Sequence, residues 1–173
     1  MRTAHTADLD DDTKAAVRAL MDDTFDTVSD DTFDNALGGM HTVVFEDGKL
    51  IGHASVVQRR LLHGGRVLRT GYIEGVAVRS DRRRLGYGDS MMAVLERIIR
   101  SGYQLGALGA SPDGARLYSA RGWQLWAGPS SVLSPEGIRR TPDSDGYIYV
   151  LPTSIPVDVT GELTCDWRPA SVW

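Results

Sequence analysis

Between Val78 and Met91 the chain reads Arg79-Ser80-Asp81-Arg82-Arg83-Arg84-Leu85-Gly86-Tyr87-Gly88-Asp89-Ser90, and no other segment limits the fold as much. Ahead of it, a long strand-like run extends from Arg66 to Val78. Behind it, Met91, Val94, Leu95 and Ile98 recur at i, i+3, i+4 and i+7, the spacing of a helix with one buried face. A strand that passes through Gly86 and Gly88 into a helix gathers backbone N–H groups and the positive end of the helix dipole in one place. Arg82, Arg83 and Arg84 add charge, so an anion seat is the functional expectation and a capped basic turn the plain one. Three antiparallel strands precede the loop instead of a single βαβ unit, which argues against a dinucleotide fold, and the Gly-Lys-Ser/Thr of a Walker loop is missing.

The remaining elements fall around this unit. Thr3–Leu9 reads as a first strand, followed by a helix capped by Asp11 or Asp12 with Val17, Leu20, Met21 and Phe25 on one face. An acidic connection leads to a short helix over Thr32–Leu37 that stops at Gly38-Gly39. Met40–Phe45 and Leu50–Leu62 pair across the Glu46-Asp47-Gly48-Lys49 turn, and His63-Gly64-Gly65 turns the chain into Arg66–Val78. After the central helix come a strand over Tyr103–Leu108, a helix over Pro112–Arg121 closed by Gly122, and strands over Trp123–Leu133 and Tyr147–Leu151. The order β-α-α-β-β-β-α-β-α-β-β predicts one α+β domain over residues 1–173, a mixed, mostly antiparallel sheet flanked by helices. The tail from Pro152 lacks periodicity, but its aromatics Trp167 and Trp173 predict that it docks.

Charge and composition exclude whole classes of function. A net charge of −4 argues against a nucleic-acid partner and suits a cationic small molecule. Cys165 is the one cysteine, so no internal disulfide forms, and a reducing, cytoplasmic setting is expected. Met1–Asp8 holds no apolar signal-peptide core and no apolar run reaches membrane-spanning length. His5, His41, His53 and His63 show no metal-ligand spacing and read as strand or turn residues.

Arg83, Gly86 and Gly88, placed between the strand Val76-Ala77-Val78 and an amphipathic helix, resemble the Gln/Arg-x-x-Gly-x-Gly/Ala signature of the GNAT superfamily of acetyltransferases. The resemblance implies acetyl-CoA as co-substrate and no metal. Backbone groups of Val76, Ala77 and Val78 would hold the pantetheine arm, and the amides of Arg83, Arg84, Leu85, Gly86, Tyr87 and Gly88 the pyrophosphate. Gly75 within the strand reads as a bulge or close approach to a ligand, or as a packing accommodation. Amine acetylation needs a carboxylate that attracts and deprotonates an ammonium, and Glu74 lies on the right strand for it. The plain alternative is an outward charge on a half-exposed strand. Tyr118, in Leu117-Tyr118-Ser119-Ala120-Arg121-Gly122-Trp123, resembles the superfamily's tyrosine near the coenzyme sulfur; otherwise it packs on the sheet. Cys165 reads as a small buried residue, which favours direct transfer over a covalent intermediate.

The likeness extends beyond the superfamily. Leu37-Gly38-Gly39-Met40-His41, Val57-Gln58-Arg59-Arg60, Gly71-Tyr72-Ile73-Glu74, Gly102-Tyr103-Gln104-Leu105-Gly106, Cys165-Asp166-Trp167-Arg168 and the final Trp173 resemble the aminoglycoside 2′-N-acetyltransferases. That resemblance implies a polycationic aminoglycoside acceptor and a homodimer. Glu74 and Gly75 would line the acceptor site, Glu74 acting as a base through water, with Asp26, Asp31, Asp143 and the carboxylate or ring of Trp173 as further contacts. Ser144, Gly109 and Ser171 depart from the family by removing polar groups that could touch the acceptor. The Asp26–Asp31 segment also reads as a solvated connection. Two other functions fit the residues: acetylation of a different amine, and a non-catalytic coenzyme-binding module.

Overall fold

The computed structural model describes residues 1–173, and its first strand stops earlier than the sequence predicts. β1 (Arg2–His5) ends where His5 Nδ1 accepts the Ala7 N–H at 3.2 Å and the chain tightens into a 3-10 turn. Asp10, one residue ahead of the expected cap, accepts the Thr13 N–H at 2.7 Å and starts α1 (Asp11–Thr24). Val17, Leu20 and Met21 are buried as their spacing requires, whereas Phe25 has extended backbone at the C-cap and is exposed. Ser29 caps α2 (Asp30–Asp34) through the Thr32 N–H, so this helix begins two residues before the predicted start.

The predicted hairpins follow as β2 (Met40–Glu46), β3 (Lys49–His63) and β4 (Arg66–Val78). In α3 (Tyr87–Gly102) the buried stripe is Met91, Met92, Leu95, Glu96 and Ile99, while Val94 and Ile98 are half-buried. The face is turned from the predicted one because the apolar arc is wide enough to include Met92 and Ile99 as well as Val94 and Ile98, and packing selects among them. Burying each apolar side chain of this stripe contributes roughly 1.5–3 kcal/mol. β5 (Leu105–Gly109) and α4 (Pro112–Ala120), capped by Ser111, come next. The single strand expected over Trp123–Leu133 is two, β6 (Gln124–Leu125) and β7 (Ser130–Ser134). Pro129 cannot donate to a ladder, and Gly128 runs so close to the Gly161 carbonyl that no side chain fits there. β8 (Gly137–Arg140), β9 (Ile148–Pro152) and β10 (Leu163–Asp166) complete the chain, and β10 lies in the tail that showed no periodicity.

Contacts cluster into two compact units, Met1–Val57 with Ile73–Arg97, and Gln58–Tyr72 with Ile98–Trp173. In the first, β1, β2 and β3 form an antiparallel ladder, with Thr3 opposite Thr42 and Val43 opposite His53. Val17 and Met21 of α1 pack on Val43, with Val28, Phe33 and Leu50 around them. In the second, the strand order is β6-β9-β5-β4-β3-β10-β7-β8; β4–β5 and β7–β10 are parallel pairs. Arg59, 4% exposed, donates to the Asp166 carboxylate at 2.7 Å and to its carbonyl at 2.9 Å, and its guanidinium lies 4.6 Å from the Tyr72 ring centre. The Trp126 indole donates to the Gly161 carbonyl at 3.0 Å and meets the His63 ring edge-on. These contacts dock the tail, with Trp173 buried and Trp167 exposed. No helix is long and apolar enough to cross a membrane.

The first unit also buries two histidines against each other. His41 Nδ1 and His53 Nε2 lie 2.9 Å apart, Thr6 Oγ1 sits 2.7 Å from His41 Nε2, and His53 Nδ1 reaches the Gly75 carbonyl at 2.8 Å. Burial pushes both imidazoles down to about 4 from an ordinary 6.5. The folded chain therefore refuses protons that the unfolded chain accepts as pH falls below 6.5. The stability involved is complete above that value and is lost as pH falls toward 4, at up to roughly 1.4 kcal/mol per pH unit for each histidine. Urea titrations between pH 7 and 4.5 should show this decline, and replacing both histidines with glutamine should flatten it.

Candidate active site

Pairing along β4 changes at Tyr72. The parallel ladder to β5 covers Thr70, Gly71 and Tyr72 and goes no further, so the edge of Ile73–Val78 opposite β3 carries no second strand. Gly75 interrupts this stretch with φ of +56°. A Cβ there would lie 3.1 Å from Met21 Sδ and 3.3 Å from the His53 ring, so both conformation and space call for glycine. Glu74, Val76 and Val78 are half-buried and Ala77 is buried. A free strand edge presents N–H and C=O groups at strand spacing, which suits an extended, amide-rich ligand.

The loop beyond β4 supplies charge and curvature. Arg83, Arg84, Leu85 and Gly86 are exposed, and Arg84 (φ +61°) and Gly86 (φ +85°) are left-handed, which makes the backbone concave before α3 begins. Tyr87 and Gly88 form the first turn of α3 with Asp89. Arg82 does not add free charge to the loop, contrary to the sequence expectation. It is held by Glu46 at 2.6 Å and by the Asp81 carboxylate at 3.0 Å, and Glu46 also accepts the Tyr87 hydroxyl at 3.4 Å. Arg83 Nε donates to the Val78 carbonyl at 3.2 Å, tying the loop to the end of the strand. Arg83 and Arg84 are thus the loop's exposed cations. Their joint replacement by alanine should weaken acetyl-CoA binding at low salt, with the loss shrinking as salt rises. Calorimetry showing equal affinity at low salt would remove the loop from the binding site.

Other candidates in the first unit lie on and beside the helices. Asp26 is exposed in the connection after α1, and Asp31 is exposed in the first turn of α2. Their neighbour Asp30 is already paired with Arg18 at 2.9 Å, which also holds Asp22 and lies over Phe33.

The second unit brings several candidates together. The Trp173 ring N–H donates to Thr141 Oγ1 at 2.8 Å, and Ser171 Oγ donates to the Trp173 carbonyl. Gly109 faces that carbonyl: a Cβ on it would lie 3.6 Å from the Tyr72 hydroxyl and 3.8 Å from the Trp173 oxygen, ordinary contacts that a serine would tolerate. Asp143 and Ser144, on the 3-10 turn after β8, line a cavity of about 430 Å³ with Arg139, Arg140, Thr141, Trp167 and Val172. Asp145 is engaged by Ser130 Oγ at 2.7 Å and by Arg140 at 2.8 Å. Tyr118 is buried on α4 between Trp123 and Tyr149, with ring centres 6.1 and 6.3 Å away. Burial pushes its phenol up to about 12, so it keeps its proton and acts as a donor at any working pH. Cys165 is fully buried, its thiol is pushed up to about 11 by burial, and it donates to the Val172 carbonyl at 3.3 Å. It cannot serve as a nucleophile in that state.

The residues that sequence reasoning missed are His41 and His53. The Asp-Gly hairpin alone does not reveal them: its register would put residues 41 and 53 on opposite faces, and the shift between Val44 and Phe45 brings them onto one.

Comparison with known proteins follows the same lines. The family described as an acetyltransferase (GNAT) domain matches residues 2–126. An aminoglycoside 2′-N-acetyltransferase of Mycolicibacterium fortuitum is 46% identical, over 99% of this chain and 91% of that protein. Among solved structures, the Escherichia coli GNAT family N-acetyltransferase YhbS in complex with CoA superposes with a TM-score of 0.64 at 20% identity, over 95% of this chain and 87% of that one. Eis1 of Mycobacterium abscessus gives 0.61 at 18% identity over 76% of this chain, which spans 33% of its length. At these identities the two structures bear on the fold alone.

Proposed function

The chain belongs to the GNAT acetyltransferases and, within them, to the aminoglycoside 2′-N-acetyltransferases, and from that membership we propose that it transfers acetyl from acetyl-CoA directly to the 2′-amine of an aminoglycoside. The observation that carries this reading is the 46% identity over 99% of the chain to a protein of that name. The Val76–Val78 stretch, beyond the end of the ladder to β5, and the concave Arg83–Gly88 loop support it physically, because they suit strand-like hydrogen bonds to a pantetheine arm and supply charge to a pyrophosphate. Working in the cytoplasm as a homodimer belongs to the same proposal.

Each chemical requirement has a residue. Glu74 takes the ammonium proton, through water, and frees the nitrogen lone pair. That nitrogen attacks the thioester carbonyl carbon, the carbonyl oxygen takes up negative charge, and collapse breaks the carbon–sulfur bond as the nitrogen gives up its second proton to solvent and the departing thiolate takes one up. The Tyr118 hydroxyl, held protonated by burial, hydrogen-bonds the departing sulfur as its charge grows. Gly109, Asp143, Ser144 and Trp173 serve the acceptor in the second unit, and Asp26 and Asp31 in the first.

One observation favours a second reading, acetylation of a different amine. The cavity beside Asp143 is also lined by Arg139 and Arg140, and Asp145 is already engaged, so cations meet less net negative charge there than the count of acids indicates.

Thiol release from acetyl-CoA separates the two. Of two aminoglycosides differing only at position 2′, the amino compound should be acetylated once, on that nitrogen by NMR, and the hydroxyl compound turned over poorly. Equal turnover, or acetylation elsewhere, would leave a GNAT amine acetyltransferase of other specificity.

Glu74→Gln should lower kcat by roughly 10²-fold where the acceptor is protonated and much less at high pH. Tyr118→Phe should slow turnover with coenzyme affinity nearly unchanged. A fall in affinity alone would make Tyr118 a binding residue.

A further inference from the structure

The buried histidine pair belongs to a one-way hydrogen-bond chain whose proton positions follow from its end. The Gly75 carbonyl can only accept, so His53 Nδ1 carries the proton across their 2.8 Å contact. A neutral His53 then has a bare Nε2, which accepts from His41 Nδ1–H at 2.9 Å. The bare His41 Nε2 accepts the Thr6 hydroxyl proton at 2.7 Å. Thr6 Oγ1 in turn accepts the Gly38 N–H at 2.8 Å and the Gly39 N–H at 3.2 Å. Every donor points toward β4. In a buried, low-dielectric setting each bond polarises the next, and the last one draws electron density onto the Gly75 oxygen.

That oxygen belongs to the Gly75–Val76 peptide. No peptide bond in the chain is cis, so the Val76 N–H is antiparallel to the Gly75 carbonyl and points away from the His53 ring. A carbonyl in a flat strand bonds the neighbouring backbone; the positive φ of Gly75 turns this one to a side chain instead. Polarising the carbonyl strengthens the N–H of the same peptide as a donor. It lies on the stretch of β4 whose edge has no second strand.

We propose that His53, backed by His41 and Thr6, is a positioning residue that fixes and polarises the Gly75–Val76 peptide, so that the Val76 N–H holds the thioester oxygen as negative charge develops on it. This rests on the reading of β4 as the acetyl-CoA edge. The histidines touch no reacting atom. Their effect travels through one peptide plane.

The test is the carbonyl signal of acetyl-CoA labelled with ¹³C at that carbon, recorded with wild type, His53→Leu, His53→Asn and Thr6→Val in the absence of acceptor. Asparagine keeps an N–H near the place of Nδ1, and leucine, branched alike, does not. Binding to wild type should move the signal downfield. His53→Leu should lose most of that shift while binding acetyl-CoA within about threefold of wild type, and His53→Asn should regain more than half. Turnover on whichever amine wild type accepts should follow the same order, with kcat falling about tenfold or more in His53→Leu and KM for acetyl-CoA little changed. Thr6→Val, isosteric and remote from β4, should lose part of the shift, and it carries the comparison if His53→Leu does not fold. A shift insensitive to both His53→Leu and Thr6→Val overturns the proposal, as does an equal loss in His53→Leu and His53→Asn, which would mean packing alone. Wild type without saturable acetyl-CoA binding overturns the coenzyme reading instead.

Discussion

A backbone carbonyl in the middle of β4 takes its hydrogen bond from an imidazole, and much of the first unit is arranged so that it can. His53 must be neutral and oriented, which requires His41; His41 must be oriented, which requires the Thr6 hydroxyl; Thr6 is held by the amides of Gly38 and Gly39. The close approach of Met21 and His53 would crowd a side chain at Gly75, and its φ of +56° already favours glycine. The turned backbone at Gly75 is therefore the product of several segments distant in sequence. It sits next to Glu74, so the direction of that backbone and the arrangement of the core are one problem.

The second unit depends on a buried cation. Arg59 is removed from water, and its charge is compensated by the Asp166 carboxylate and carbonyl and by the face of Tyr72, over which Arg168 also lies at 5.2 Å. Removing one partner of such a group leaves an uncompensated charge and costs several kcal/mol, about 3–5 in typical cases. The arrangement binds β3, β4 and the tail at one place. Tyr72 is also the last residue of β4 paired with β5, so the limit of that ladder is set beside the ion pair.

The parts legible in sequence were those for which few residue types serve. Gly86 just after three arginines, with a strand before and an amphipathic helix after, can do little else than make a concave basic turn, and the hairpins at Asp47-Gly48 and Gly64-Gly65 carry their own turn chemistry. The buried face of α3 was read one position off because Met92 and Ile99 are as apolar as Val94 and Ile98, and only packing chooses among them. Arg82 counts in the sequence as added charge for the loop because its partner Glu46 lies 36 residues away, across a hairpin. The histidines read as strand residues, and the register shift between Val44 and Phe45 that puts them on one face leaves no mark in the turn sequence. β10 left no trace because four residues cannot display alternation; its position follows from pairing on both sides.

That last strand has a consequence for how the polypeptide matures. β10 lies between β3 and β7, so the sheet lacks an interior member until Leu163–Asp166 have left the ribosome. Arg59 and Asp166, which lock the strand in place, are 107 residues apart, and such distant closure is slow compared with hairpin formation. During synthesis the edges of β3 and β7 are bare ladders beside a cation still lacking its counter-charge. The nascent protein thus passes through an interval of vulnerability to edge-to-edge association, ended by the arrival of a single four-residue insert.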